Sequence, residues 1–394
     1  ISVYKATQER ISKTFDEFEK ISLSFSGGKD SSVMFHMVMD EAIKRNRKIG
    51  LFFLDWEIQF EMTINHVKEM IELYKDYLDV HWVALPIVTS NAASMFEPEW
   101  IAWEPGKEHI RKAPDFAITD INYFPFYHMP MTFEEFVPNY NKWYANGEKC
   151  ACFVGLRTSE SLNRWRAIAN EKKSRYKNWC YSTKVDDECY SIYPLYDWKT
   201  EDIWIYNGTF KKCYNLLYTR MHQAGIGINQ QRICEYFSEH SKRSLYLFHA
   251  IEPQTWGKII GRVNGANLAA MTANEKGRFT GEGKISKPEN HTWKSYVDLL
   301  LNTMPAKTSN HYKNKIAVWI KFYRDRNIDI QDEIEGDLTG QDKPSWRRVA
   351  RMILRGDYWA STLSFGPTKT AASEAYNKMM AKRRANWDIY NDIK

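Results

Sequence analysis

The stretch Ile21-Ser22-Leu23-Ser24-Phe25-Ser26-Gly27-Gly28-Lys29-Asp30-Ser31-Ser32 changes backbone type partway along. Ile21 to Phe25 alternates apolar and small polar side chains, the signature of a strand, and two glycines end it. From Ser31 to Asn46, Met34, Met37, Val38 and Ile43 recur on one helical face. A Gly-Gly turn that leaves a strand and opens directly into a helix is a site for an anion. The glycines let the backbone come close, and the first-turn N–H groups point at the ligand with the positive end of the helix dipole behind them. Ser26 and Ser31 add hydroxyls and Lys29 adds a charge. The candidate nucleotide-binding set is therefore Ser26, Gly27, Gly28, Lys29, Asp30, Ser31 and Ser32. It is not a Walker A loop, which needs Ser or Thr after its lysine, where this chain has Asp30.

Downstream, Ile49 to Leu54 is an unbroken apolar run bounded by Asp55, as for a strand buried on both faces of a parallel sheet. With the preceding strand and helix it makes a βαβ unit. A second unit follows, with a helix marked by Ile64, Val67, Met70, Ile71 and Tyr74 and a strand from Val80 to Leu85. Between Pro86 and Gly147 the pattern breaks into scattered aromatics and prolines, which predicts an insertion of short helices and loops. Regular order resumes with a strand at Cys150 to Leu156, a helix at Ser159 to Lys172, a strand at Tyr190 to Leu195, and a helix capped by Thr200 with Glu201 and Asp202 in its first turn. Beyond about Phe237 helical patterns dominate, as in Leu245 to Ile260 and Trp293 to Leu301. The expected fold is α/β, a mainly parallel doubly wound sheet, with an α-rich C-terminal domain. The expected domains are 1–237, carrying the insertion at 86–147, and 238–394, the two being more than one core usually organises in 394 residues.

With 43% apolar and 26% charged residues and a mean hydropathy of −0.57, the chain reads as globular. No stretch is long and apolar enough to span a bilayer and no signal pattern opens the chain, so a cytoplasmic address without membrane contact is expected. Six cysteines without a C-x-x-C pair argue for reduced thiols. The net charge is +6, and residues 341–394, with eleven Lys or Arg against five Asp or Glu, hold all of that excess.

Ser-Gly-Gly-Lys-Asp-Ser at residues 26–31 resembles the PP-loop of the adenine nucleotide alpha hydrolases. Gly155-Leu156-Arg157-Thr158-Ser159-Glu160-Ser161 with Arg164, and Pro194-Leu195-Tyr196-Asp197-Trp198 with Asp202, Ile203 and Trp204, are similar to segments of phosphoadenosine phosphosulfate (PAPS) reductases. Asn91 to Phe96 with Trp100 and Trp103, Asp120 to Phe126, and Lys287 to Trp293 resemble the IbrA-like branch of that family. The resemblance implies binding of ATP or a PAPS-like adenine nucleotide with Mg²⁺, cleavage between the α- and β-phosphates, and, for the branch, a ParB-like protein partner and a role in regulation or mobile-element defence.

The candidate catalytic residues are Lys29, Asp30, Arg157 and Arg164. Lys29 would hold the leaving pyrophosphate, and the two guanidinium forks suit an oxyanion. Gly155 joins the nucleotide-binding set, as does Asp55, which ends a strand where open sheets take ligands. Asp55 can hold a ribose hydroxyl, the adenine amine or a Mg²⁺ shell, or simply cap its strand. Sulfonucleotide reduction by the familiar route is disfavoured, since no cysteine follows Cys234. No metal centre is expected, although Cys150, Cys152, Cys180 and Cys189 could supply four thiolates; Cys150 and Cys152 equally suit one packed face of a strand. Trp346, Arg347, Arg348, Arg351 and Arg355, with Lys382-Arg383-Arg384 beside Trp387, form a candidate nucleic-acid or partner surface.

Overall fold

Helix α1 (Val3–Glu17) leads into strand β1 (Lys20–Ser24), and the Gly27-Gly28 turn opens α2 (Lys29–Lys44). Then come β2 (Ile49–Leu54), α3 (Glu61–Tyr74) and β3 (Leu78–Val83), so both βαβ units are present. A computed structural model describes residues 2–161, 164, 165, 168, 174–233, 236–238, 241, 244–272, 285–335, 344–360, 362 and 363. These residues form two compact units, one drawn from 2–87 and 102–233, the other from 88–101 and 236–363.

The first unit continues with α4 (Phe133–Ala145), β6 (Cys150–Val154), β7 (Ser182–Lys184), β8 (Cys189–Ile192), α5 (Thr200–Phe210) and α6 (Leu217–Gln223). Its sheet has six strands in the order β3-β2-β1-β6-β8-β7. All neighbours run parallel except β7, which pairs antiparallel with β8 at the edge. Strand neighbours alternate faces, and both faces are covered. Leu51 and Phe53 enter the core built with α1, α2 and α3, whereas Phe52 and Leu54 pack with Phe124, Phe136 and Tyr140 of the insertion.

The Pro-x-x-Asp-Trp segment turns out to anchor α1. Arg10 donates to both carboxylate oxygens of the fully buried Asp197, at 2.8 and 2.7 Å, and to the carbonyl of Pro194 at 2.7 Å. The indole of Trp198 donates to the Thr7 hydroxyl at 2.8 Å. Removing one member of so buried a pair costs about 3–5 kcal/mol.

The second unit holds most of β4 (Ile87–Ser90) and β5 (Glu99–Ala102), which pair in a two-stranded ladder, then α7 (Tyr246–Ile251), α8 (Pro253–Arg262), α9 (Ala266–Thr272), α10 (Trp293–Thr303), α11 (Ala306–Arg324) and α12 (Trp346–Leu354). The 88–101 segment is pressed into it. Ala92 donates its N–H to Phe237 at 2.8 Å, and a Cβ on Gly265, at φ +83°, would lie 2.2 Å from the Ala93 carbonyl oxygen.

Several elements depart from the sequence expectations. Leu245 to Ile260 is two helices, because Pro253 cannot continue the first and instead starts the second. The insertion contains a 13-residue helix, α4, started by a capping box of Thr132 and Glu135. Lys199, not Thr200, is the N-cap of α5, and its N–H is bonded by Asp202 at 2.7 Å. Most of the helix expected at 159–172 lies outside the described residues, as do Lys382, Arg383, Arg384 and Trp387.

Candidate functional site

Strand order reverses between β1 and β6: β2 and β3 lie to one side of β1, and β6 and β8 to the other. Loops at the carboxyl ends of two such strands part around a crevice, the usual ligand position in open α/β sheets. Ser26 to Gly28 follow β1, and Gly155 to Arg157 follow β6. The two loops meet closely, since a Cβ on Gly155 would sit 2.8 Å from Ser31 Cα and 3.0 Å from Ser31 N.

Gly27 has φ +72°, and a Cβ there would lie 2.8 Å from Thr63 Cγ2 on α3, so the turn needs glycine for both backbone and space. Gly28 is the N-cap of α2 at φ −80° and makes no side-chain cap. The N–H groups of Asp30 and Ser31 therefore have no acceptor among the described residues, and they are the donors a phosphate would use. Around them the hydroxyls of Ser26 and Ser31 are 3.0 Å apart, and Gly28 donates its N–H to Ser26 Oγ at 3.3 Å.

Lys29 is buried. Its Nζ donates to the Gln231 carbonyl at 3.1 Å and lies 3.7 Å from Asp30 Oδ2. Burial presses its ammonium below the ordinary lysine value, Asp30 opposes this, and Arg157, Arg232 and Arg164 add to it. The charges of Arg157, Arg232 and Arg164 therefore all act on Lys29 at the start of α2.

Arg157, expected to face an oxyanion, is only 2% exposed and donates instead to Asp30, at 2.7 Å to Oδ1 and 3.4 Å to Oδ2, and to Ser159 and Thr200 hydroxyls at 3.0 and 3.3 Å. Arg164 pairs with Glu160, its side chain 40% exposed, and Arg232 donates to the Glu160 carbonyl at 2.8 Å. Asp55 is fully buried. Its carboxylate accepts from Trp82 Nε1 at 2.8 Å, from Glu57 N at 2.9 Å and from Arg111, while Trp103 Nε1 donates to its carbonyl at 2.7 Å. In this geometry Asp55 anchors the insertion to the sheet. Asp30 and Asp55 both bind cationic side chains, so neither fits as a ready Mg²⁺ ligand.

The second-unit residues are not a solvated basic face. Arg348 is buried, Arg347, Arg351 and Arg355 are half-buried, and Arg347 lies over the Trp293 ring at 5.6 Å. Trp346 sits under the Lys294 ammonium at 5.6 Å. Burial lowers the Arg355 value. Cys150, Cys152 and Cys189 are buried. Cys150 pairs in register with Cys189 and packs under Ala145, and burial pushes Cys152 and Cys189 up to about 11, far from reactive thiols. Among the described residues no three His, Cys, Asp or Glu side chains gather as a metal site, and no helix is long and apolar enough to cross a membrane.

The phosphoadenosine phosphosulfate reductase domain matches residues 20–227, a span running from β1 through the clustered loops. The chain belongs to this family. A domain of unknown function, DUF3440, matches residues 225–339 of the same reductase-family chain. The chain is similar to the uncharacterized protein YbdN of Escherichia coli K12, at 40% identity over 99% of this chain and 97% of that one. It is also similar to the uncharacterized protein MJ0066 of Methanocaldococcus jannaschii, at 24% identity over 53% of this chain and 36% of that protein. Among solved structures it is similar to an FMN adenylyltransferase of Candida glabrata, at 15% identity and TM-score 0.33 over 55% and 57% of the two chains. It is likewise similar to a PAPS reductase of Candida auris in a phosphate complex, at 15% and 0.31 over 59% and 89%.

Three residues that hold the loop after β1 escaped the sequence reading. Asn215 donates to the Gly27 carbonyl at 3.0 Å and to Thr63 at 2.9 Å; Tyr218 accepts the Lys29 N–H at 3.0 Å; Gln231 supplies its carbonyl to Lys29. Asn215 also accepts the Leu217 N–H at 3.0 Å, which gives it a turn-starting position at the head of α6. That was the available local signal.

Proposed function

We propose that the chain binds ATP or a related adenine nucleotide at Ser26 to Ser32, with its phosphates on the N–H groups of Asp30 and Ser31, and cleaves ATP at the α-phosphate to adenylate a substrate. The observation that carries this is the pair of helix N–H groups at the strand-order switch that have no acceptor among the described residues, beside Lys29, on whose charge Arg157, Arg164 and Arg232 act. Preorganised donors and cations of this kind stabilise charge on a departing pyrophosphate. Gly155 holds the second loop against α2. In this reading Arg157 acts by fixing Asp30, and Arg164 and Arg232, both bonded to Glu160, meet the anionic group.

A second reading is a nucleotide sensor that works with a ParB-like partner, as the IbrA-like resemblance implies, without turnover. It is favoured by the engagement of Arg157 and Asp30 with each other, which occupies two side chains that chemistry at the α-phosphate would call on. Incubation with α-labelled ATP and Mg²⁺, with and without DNA or a ParB-like protein, separates the two. AMP and pyrophosphate support the first reading; saturable binding without product supports the second; no binding sinks both.

A further inference from the structure

The carbonyl oxygen of Gly28 faces three donors: the N–H of Ser32 at 2.8 Å, the Ser31 hydroxyl at 3.0 Å and the Ser32 hydroxyl at 2.9 Å. A carbonyl has two lone pairs, so beside the N–H only one hydroxyl can bond it well. His66 decides which. Its Nε2 lies 2.8 Å from Ser32 Oγ, and its Nδ1 is buried with no hydrogen-bond partner among the described residues, the Glu69 carboxylate standing 4.0 Å away. A buried N–H without an acceptor costs more than a buried lone pair without a donor. The proton therefore belongs on Nε2, and His66 donates to Ser32 Oγ, whose own proton then goes to Gly28. Burial keeps the ring neutral, in accord with one donor and one acceptor nitrogen.

The consequence falls on the other hydroxyls. With Gly28 satisfied by Ser32, the Ser31 proton is released to Ser26 Oγ at 3.0 Å, which also receives the Gly28 N–H. Ser26 then has acceptor positions filled from inside the loop and its own proton directed outward. The same face of α3 supplies Thr63 and Val67, the side chains against Gly27, so α3 is the wall on which the loop is built. We propose that His66 is a positioning residue for the phosphate loop: by protonated Nε2 and through Ser32 it fixes the Gly28 peptide, hands the Ser31 proton to Ser26, and so turns the Ser26 hydroxyl proton toward a bound polyphosphate. This rests on the reading of that loop as the anion site.

Two measurements on the full chain test it. In a sample with ¹⁵N-labelled histidine, the His66 ring in the free protein should show the Nε2–H tautomer; the Nδ1–H tautomer overturns the proposal whether or not any phosphate binds. Titration with tripolyphosphate alone should show affinity about tenfold weaker in His66→Leu and in Ser32→Ala, while His66→Gln, which keeps a side-chain N–H donor, stays within about threefold of the parent. The Ser32→Ala arm carries the test if His66→Leu does not fold. Equal affinity in Ser32→Ala and the parent, or a Gln variant as weak as the Leu one, overturns the proposal. A parent protein that binds no tripolyphosphate instead sinks the anion-site reading and takes the proposal with it.

Discussion

The guanidinium of Arg157 and the carboxylate of Asp30 bind edge to edge, Nε to Oδ1 at 2.7 Å, so the loop after β6 holds the second residue of α2. Neither side chain is more than 10% exposed. Truncating one partner leaves a buried charge alone. Arg157→Ala should lower stability by about 3–5 kcal/mol in urea unfolding, and adding Asp30→Ala should recover part of that loss. Strictly additive losses in the double variant would show the pair to be uncoupled.

The loop glycines should differ in sensitivity. Gly27→Ala meets both a left-handed backbone and Thr63, and should cost about 1–3 kcal/mol in stability and weaken ATP binding. Gly28→Ala, with φ −80° and its nearest neighbour, Ser26 Oγ, at 3.1 Å, should be milder, whereas the bulkier Gly28→Val should weaken ATP binding by about 2–4 kcal/mol. Gly155→Ala drives the loop after β6 against the Ser31 backbone and should reduce ATP affinity too. Calorimetric titration of the folded variants gives the order; Gly28→Ala weaker than Gly27→Ala contradicts it.

Acid should destabilise the first unit through His36 and His66. Burial pushes both down to about 4 from the ordinary 6.5. Below 6.5 the unfolded chain takes up protons that the folded one refuses. The stability is therefore complete above about 6.5, falls as pH drops toward 4, and then levels, a loss of about 3 kcal/mol per histidine at most. Urea midpoints measured from pH 4 to 7 should fall in that window, and His66→Gln should flatten part of the slope. A midpoint independent of pH there would rule out neutral buried rings.

Reversing charge in α12 should disturb folding before it reports on nucleic acid. Arg348 is buried, so Arg348→Glu should destabilise the second unit by about 3 kcal/mol or more. Loss of DNA binding by a variant with all four arginines changed would therefore be uninformative. A gel-shift titration of the unaltered protein at two salt concentrations is the direct measurement: steep salt dependence would support phosphate contact, and absence of binding would remove that role.

The sequence by itself determined the elements whose cause is local. The run from Ile21 to Ser32 is strand, Gly-Gly turn and helix because alternation, missing Cβ atoms and helical spacing act within a few residues, and Ile49 to Leu54 is buried on both faces because nothing polar interrupts it. Only the tertiary structure decided which polar groups remain available. Asn215, Tyr218 and Gln231 reach the loop from 188, 189 and 202 residues away, Arg157 turns inward to Asp30, Asp55 is claimed by Arg111 and Trp82, and Arg348 is drawn into a helical core. A charged side chain carries no local mark of its partner. Whether it faces a ligand or another residue depends on where the chain folds back, because a buried charge must find its counterpart wherever packing has placed it.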